Sequence, residues 1–394
     1  MKSLILLAAL CTPFWIFAQK HDYVWMHGNY NNFYIDFNAV TPNIYTVNSN
    51  YEFSRTLVFI SDSLGNPSFY SNGCNILDSG HTVLANGLEI LQNDYFCDNY
   101  DYQNFMHGLL VLPMHMPNKY LMISKSQGNP LPSQPCQTNR VLAHLIDMSP
   151  SQVIGLVAEK EQLLLSGCFQ EPTANKHANG RDWWILLPDN QEERFYRWLL
   201  TPSGLEGPWT QELSNETIDG YWYCGWSEFS PNGEKYLING CRKGVAVYDF
   251  NRCTGLLTNP RFINRSTIWN FGAVFSPNSQ YLYTLDSSST VLFQYNINSF
   301  DLPSTKTKIG QWDGTVDSSL IPASFGFMQH GPDGKLYLWG GGSSIMHTID
   351  FPNRKGFECG FRQYAIQLPG TCFSANLYYP HYRLGPIDGS SCDT

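Results

Sequence analysis

The chain has 394 residues, a formal net charge of −9 and 14% charged residues, against 43% apolar and 15% aromatic residues. Globular proteins are about 25% charged, so this composition excludes intrinsic disorder and argues against a long helical bundle. With 24 Lys and Arg beside 33 Asp and Glu, it also argues against a nucleic-acid-binding protein. The 32 glycines, 23 prolines and 24 phenylalanines are instead typical of a β-rich protein with many turns.

The amino terminus has the pattern of a signal peptide over residues 1–18. Lys2 is followed by an apolar stretch from Leu4 to Phe17, which is shorter than the roughly 20 residues that span a bilayer. Cleavage is expected after Ala18, and an uncleaved anchor is the alternative. No later stretch is long and apolar enough to cross a membrane. We therefore expect an exported protein, secreted or at the cell surface, with the periplasm as a further possible location.

A turn followed by an aromatic-rich strand recurs along the chain. A residue suited to a tight turn marks each repeat, and these markers are Gly65, Asn118, Gly180, Gly233, Ser279 and Gly334. Their spacings are 53, 62, 53, 46 and 55 residues, and a second hairpin often follows the first. Units of this length with about four strands are typical of a β-propeller, in which small sheets pack face to face in a ring.

Seven blades are expected, and six are the alternative. The six markers define six blades, and the remaining residues, from 19 to about 59 and from 340 onward, would supply the seventh. A strand near Val24 would then pair with carboxy-terminal strands to close the ring. The segment 151–165 is interpreted as an outer strand, since a helix there would lack a clear cap. The predicted domain is a single all-β propeller over residues 19–386, with a tail at 387–394.

Ten cysteines remain after the signal peptide, and an even number in an exported chain permits disulfides. No CxxC pair is present, so a zinc or redox site is not expected. The spacing of a calcium-binding EF-hand loop is absent as well, and no metal or cofactor is predicted. If Asn232 and Gly233 form a hairpin turn, the numbers of opposed residues sum to 465. Cys224 and Cys241 satisfy this sum, so they either form a disulfide or remain as two buried thiols.

Several longer segments resemble known propellers. They are ISDSLGNPSFYSNGCNI (60–76), MHGLLVLPM (106–114), NKYLMIS (118–124), KHANGRDWWIL (176–186), EFSPNGEKYLI (228–238), VYDFNRCTGLLTNP (247–260), VFSPNSQYLYTL (274–285), GPDGKLYL (331–338) and YYPHYRLGP (378–386). The hairpin units are similar to the blades of lactonase-type, YVTN-like and WD40-like propellers. The whole chain resembles a family of secreted bacterial propellers that are cargo of the type IX secretion route and usually precede a sorting or gliding-motility-associated domain. This resemblance implies the architecture, and no activity is common to that family.

Four residues are candidates for catalysis. His177, Glu228 and His330 lie on or beside strands that enter blade turns, and the innermost strands of a propeller line its axis. A carboxylate or histidine there could act as a general base, and Arg181 could stabilise an oxyanion, as in a lactonase-like hydrolase. The alternative is that the histidines hydrogen-bond the backbone between blades.

Aromatic side chains are candidates for binding. Exposed aromatic rings stack on sugars or anchor protein partners, whereas buried ones fill the wedge between blades. The candidate binding residues are Trp183, Trp184, Trp222, Trp226 and His107.

Three functions follow from these observations. The first is a non-catalytic exported binding or scaffold module for a glycan or protein ligand, expected to be a monomer. The second is a lactonase-like hydrolase with its site at the mouth of the axis. The third is a passenger propeller that presents another domain.

Overall fold

The computed structural model describes residues 19–28, 31–49, 51–53, 55–102, 108–128, 139–149, 154–189, 194–213, 226–240, 244–263, 272–372 and 377–392. Within these ranges the protein is almost entirely β, with seven small antiparallel sheets arranged as the blades of a propeller. One short helix, α1 (Tyr95–Tyr100), separates the second and third blades and is capped by the Asp94 carboxylate.

The first four blades follow the chain in order. Blade 1 contains β1 (Val24–His27), β2 (Phe33–Asp36) and β3 (Asn43–Thr46). Blade 2 contains β4 (Val58–Ser61), β5 (Pro67–Ser71) and β6 (Ile76–Asp78). Blade 3 contains β7 (Leu109–Pro113), β8 (Lys119–Gln127), β9 (Asn139–Asp147) and β10 (Leu156–Gly167). Blade 4 contains β11 (Thr173–Lys176), β12 (Trp183–Pro188), β13 (Arg194–Thr201) and β14 (Gly204–Glu212).

The remaining blades have four strands each. Blade 5 contains β15 (Trp226–Phe229), β16 (Lys235–Gly240), β17 (Gly244–Asn251) and β18 (Leu256–Ile263). Blade 6 contains β19 (Ala273–Phe275), β20 (Tyr281–Leu285), β21 (Val291–Asn296) and β22 (Thr307–Gln311). Blade 7 contains β23 (Phe327–His330), β24 (Leu336–Trp339), β25 (Ser343–Ile349) and β26 (Phe361–Cys372). Short 3₁₀ turns lie at Pro303–Thr305 and Gly356–Cys359.

Hydrophobic clusters between neighbouring blades hold the ring together. Separate clusters join blades 4 and 5, blades 5 and 6, and blades 6 and 7. A larger cluster spans blades 2 to 4, and another joins blade 7 to blades 1 and 2. The first strands of most blades are wholly buried, whereas outer strands such as β10 and β14 are largely exposed. The sequence prediction of seven blades is therefore confirmed, and so is the outer strand within 151–165.

All six turn markers connect the first strand of a blade to its second. Their φ angles lie between +57° and +92°, which is the left-handed region that glycine and asparagine tolerate best. In blade 5 the turn sets the predicted register, since Ser227 opposes Ile238 and both numbers sum to 465. Cys224 and Cys241 lie outside the described residues, so their pairing stays a prediction.

The ring closes differently from the expected strand exchange. β1 pairs with β2 and β2 with β3, and none of the described residues of 377–392 forms a strand with them. The residues from 340 onward instead complete blade 7 with β25 and β26. Side chains supply the closure: the ring centroids of Trp25 and Tyr337 are 5.4 Å apart, and those of His27 and Trp339 are also 5.4 Å apart.

The segment 377–387, hereafter the axial segment, runs along the centre of the ring. The Tyr382 hydroxyl donates to the Val111 carbonyl of blade 3 at 3.0 Å. The hydroxyls of Tyr378 and Tyr379 donate to the carbonyls of Ala174 in blade 4 (3.3 Å) and Val24 in blade 1 (3.2 Å). Only a segment near the axis can reach the first strands of three different blades in this way.

The end of the chain is fixed to the ring beyond residue 386. The Ile387 amide donates to the Ala178 carbonyl, and Cys392 forms a disulfide with Cys253 in the β17–β18 turn. A second disulfide joins Cys74 to Cys97. The residues predicted as a tail therefore pack on the propeller as far as Cys392.

The described residues contain no helix with the length and apolarity needed to cross a membrane. The predicted signal peptide, residues 1–18, lies outside the described part of the chain.

Candidate functional site

A cavity of about 350 Å³ opens where the axial segment meets the turns of blades 5, 6 and 7. Each of these turns contributes one proline to the cavity wall, namely Pro231, Pro277 and Pro332. Asp22, near the start of the described chain, lines the same cavity. The cavity is thus built from regions that are far apart in the sequence, and we call it the axial cavity.

Two of the four predicted catalytic residues meet in the axial cavity. Glu228 is the third residue of β15, and its Oε1 accepts a hydrogen bond from the Phe275 amide of blade 6 at 2.9 Å. His330 ends β23, and its Nε2 lies 4.0 Å from the same Glu228 oxygen. The ring therefore brings together groups that are more than one hundred residues apart in the chain.

A second histidine, His381 of the axial segment, stands beside His330. The ring centroids are 5.4 Å apart, and the planes are nearly perpendicular at 81°. His381 Nε2 lies 3.0 Å from the Phe229 carbonyl, which can only accept, so this nitrogen carries the proton. Burial lowers the pKa of His381 to about 4, and burial together with nearby His381 lowers the pKa of His330 well below its usual range. Both rings are consequently neutral at pH 7.

Gln329 lines the axial cavity next to His330. Its side chain is buried, with 7% of the residue exposed, and neither its Oε1 nor its Nε2 finds a hydrogen-bond partner among the described residues. An unpaired buried amide costs roughly 1–3 kcal/mol, and most buried polar groups are paired. The two amide atoms are closed to solvent in this conformation, so a ligand could pair with them once the Gln329 side chain turns toward the cavity.

Arg383 and Asp22 form a bidentate ion pair at the edge of the cavity. Nη1 and Nη2 of Arg383 donate to the two carboxylate oxygens of Asp22 at 2.5 and 2.6 Å. Arg383 is the only Lys or Arg among the described residues that line the cavity. Because its guanidinium is already paired, the wall offers little positive charge to an anion.

The other two catalytic candidates lie in the first turn of blade 4, and neither lines the axial cavity. His177 Nδ1 accepts a hydrogen bond from the Asn179 amide at 3.1 Å. Arg181 donates to both carboxylate oxygens of Asp182 at 2.9 and 3.1 Å, and His115 Nε2 lies 3.2 Å from one of them. These contacts organise the turn.

Lys176 is a buried lysine that the sequence did not single out. Its Nζ lies 3.9 Å from the centroid of the Trp183 ring and donates to the Arg181 carbonyl at 3.2 Å. Burial lowers the pKa of Lys176 to about 7.

Two of the predicted binding aromatics are buried between blades. Trp183 and Trp184 are 1% and 5% exposed, and Trp184 Nε1 donates to the Arg252 carbonyl at 2.8 Å. This burial fits the packing alternative for these two side chains. His107, Trp222 and the Trp226 side chain lie outside the described part of the structure.

Sequence reasoning missed Gln329, His381, Asp22 and Arg383. His381 and Arg383 lie in the quoted segment YYPHYRLGP, where the density of aromatics was the visible signal. Nothing in local spacing indicates that this segment enters the ring axis, since its partners are 152 and 361 residues away.

The fold defines a seven-bladed β-propeller with a cavity at one end of its axis. No protein-family model matches the chain, and no curated protein matches it. Among solved structures, a candidate 6-phosphogluconolactonase of Bacteroides uniformis is 13% identical with a TM-score of 0.46, covering 88% of this chain and 96% of that one.

Two further propellers are similar to a comparable extent. The Dos1 propeller is 10% identical with a TM-score of 0.48, over 89% of this chain and 82% of that chain. The propeller domain of Myceliophteria thermophila Cps50 (Swd1) is 10% identical with a TM-score of 0.45, over 81% and 90%. At these identities the similarity concerns the fold alone.

Proposed function

We propose that the protein is an exported binding module that takes a small polar ligand, or the end of a larger one, into the axial cavity. Gln329 carries the proposal, because its unpaired amide lies in the wall of a cavity whose volume of about 350 Å³ is typical of ligand sites. A ligand that pairs with this amide removes the cost of burying it. A concave site of this size favours a small molecule or a terminal group over a flat protein surface.

Hydrolysis, the lactonase-like alternative, is favoured by one observation. Glu228 Oε1 and His330 Nε2 are 4.0 Å apart, so a small movement would bring them within hydrogen-bond distance. Against it, Arg383, the guanidinium available to stabilise an oxyanion in the cavity, is paired with Asp22. Turnover of an ester or lactone that disappears in Glu228→Gln would establish this alternative in place of simple binding.

Export is part of the proposal. Disulfides persist in oxidising compartments, so Cys74–Cys97 and Cys253–Cys392 support a secreted or surface location. We further propose the type IX route and the presentation of another domain as the context of this export, on the basis of the sequence resemblance. A mature amino terminus at Gln19, measured by mass spectrometry of protein recovered outside the cytoplasm, would support cleavage of the signal peptide.

Blocking the cavity tests the binding proposal. Pro277 lines the cavity in a surface turn, so Pro277→Trp should fill the mouth while the blade still folds. Pro117 lies exposed in the corresponding turn of blade 3 and does not line the cavity, so Pro117→Trp is the matched control. Calorimetry with neutral sugars, sugar phosphates, carboxylates and amines should reveal one class that binds the wild type and Pro117→Trp but binds Pro277→Trp at least tenfold more weakly. Absence of any such class would refute the binding proposal.

A further inference from the structure

We infer that the ligand of the axial cavity is a neutral, hydroxyl-rich compound, either a free sugar or the sugar end of a glycan. This inference rests on the proposed function, namely that the cavity is a binding site. It is argued from the hydrogen-bonding groups of the wall, from their charge and from the apolar surfaces between them.

The polar groups of the wall match hydroxyls. The Gln329 side-chain amide offers an acceptor oxygen and an NH2 donor group side by side, and neither has a partner among the described residues. Glu228 adds a carboxylate acceptor, and the Nε2 of His330 is likewise without a hydrogen bond within the described structure. Each hydroxyl both donates and accepts, so two adjacent hydroxyls can pair with both ends of one amide.

The charge of the wall disfavours anions. Arg383 is held by both oxygens of Asp22, and the two histidines are neutral at pH 7, so no free positive charge faces the cavity from its described lining. Glu228 would repel a phosphate or carboxylate placed beside it. A phosphorylated sugar is therefore a poorer ligand than the same sugar without its phosphate.

An amine is also a poorer match. A cation would satisfy Glu228, but it accepts no hydrogen bond and would leave the Gln329 Nε2 unpaired. The turn prolines and Leu384 give the cavity apolar surfaces against which the C–H face of a sugar ring can pack.

The test compares the binding of neutral sugars with that of their charged derivatives. Isothermal titration with glucose, galactose and mannose should give affinities at least tenfold tighter than with their 6-phosphates or uronates. Glu228→Gln should weaken neutral-sugar binding by about ten- to a hundredfold, the worth of a hydrogen bond to a charged group. Glu234→Gln changes the net charge equally at an exposed position near the same turn and outside the lining, so it should bind as the wild type does.

The outcomes separate this inference from the proposed function. The neutral-sugar inference is overturned if a phosphate, uronate or amine binds more tightly than the neutral sugar, or if Glu228→Gln binds the sugar with wild-type affinity. If the charged ligand binds the wild type but not Pro277→Trp, the cavity remains a binding site. Binding of no class that depends on the Pro277 position overturns both. Oligosaccharides of the same sugars distinguish the source: tighter binding of the oligomer indicates a glycan end, and equal binding indicates a free sugar.

Discussion

Several buried histidines should make the folded protein sensitive to acid. His27 is 2% exposed, and its ring lies against Phe33 and Trp339 with no partner for Nε2 among the described residues. Burial lowers the pKa of His27 to about 4. It also lowers the pKa of His347 to about 4 and that of His144 to about 3. At pH 7 these rings are neutral in both the folded and the unfolded chain, so the effect appears only on acidification.

The folded state should lose stability as the pH falls from about 6.5 to about 4. In this window the unfolded chain, with histidines near their ordinary pKa of 6.5, binds protons that the folded chain excludes. His27→Phe keeps an aromatic ring and removes one such proton. We expect the loss of unfolding free energy between pH 7 and pH 4 to be smaller in this variant by on the order of 2–3 kcal/mol. Urea unfolding at both pH values measures it.

A control in the same cluster separates titration from packing. Phe33→Leu disturbs the packing of the ring beside His27 without changing any titratable group, so it should lower stability equally at both pH values. A wild-type pH slope in His27→Phe would show that this histidine does not contribute to acid sensitivity.

At the scale of the element, the turn between the first and second strands of a blade fixes how these strands pair. The marker glycines adopt positive φ, but their surroundings differ. A Cβ at Gly233 (φ +72°) would lie 2.6 Å from Leu384 Cδ2 of the axial segment and 2.9 Å from the Asn175 amide. A Cβ at Gly334 (φ +80°) would meet nothing within 4 Å.

This pair of glycines separates backbone strain from crowding. Gly334→Ala should cost about 1–2 kcal/mol of unfolding free energy, the price of an L-residue in the left-handed region. Gly233→Ala carries the same strain and in addition pushes against the axial segment, so it should cost at least about 1 kcal/mol more. Chemical unfolding of both variants measures these losses of unfolding free energy. Equal losses would mean that the axial segment moves aside freely.

Local geometry explains why these elements could be predicted. A turn marker, a strand on either side and a fixed hairpin register are properties of short stretches, so six blades, the register of blade 5 and the outer strand near residue 156 followed from the sequence. The proximity of Glu228 to His330, in contrast, could be predicted only from the packing of the blades in a ring. The path of the axial segment could not be read in advance, because Tyr382 finds its carbonyl 271 residues away in blade 3.

For the whole molecule, the question is how a ring of weakly connected blades stays closed. Blade 1 joins blade 7 through aromatic packing, and the axial segment links blades 1, 3 and 4 from the centre. The Arg383–Asp22 pair ties the same segment to the start of the described chain. The Cys253–Cys392 disulfide then anchors its end to blade 5, so both ends of the propeller are held by side chains and covalent bonds instead of a shared strand.

The Cys253–Cys392 and Cys74–Cys97 disulfides should differ in their contribution because they close loops of different length. Cys253 and Cys392 are 139 residues apart, whereas Cys74 and Cys97 are 23 residues apart. If a crosslink acts mainly by restricting the unfolded chain, these separations correspond to about 5 and about 3 kcal/mol at 25 °C. The double variant Cys253→Ser with Cys392→Ser should therefore lose more unfolding free energy than Cys74→Ser with Cys97→Ser, as measured by urea unfolding of the oxidised proteins. A smaller loss in the 253/392 variant would contradict the prediction and would indicate that loop length does not govern the contribution of this disulfide.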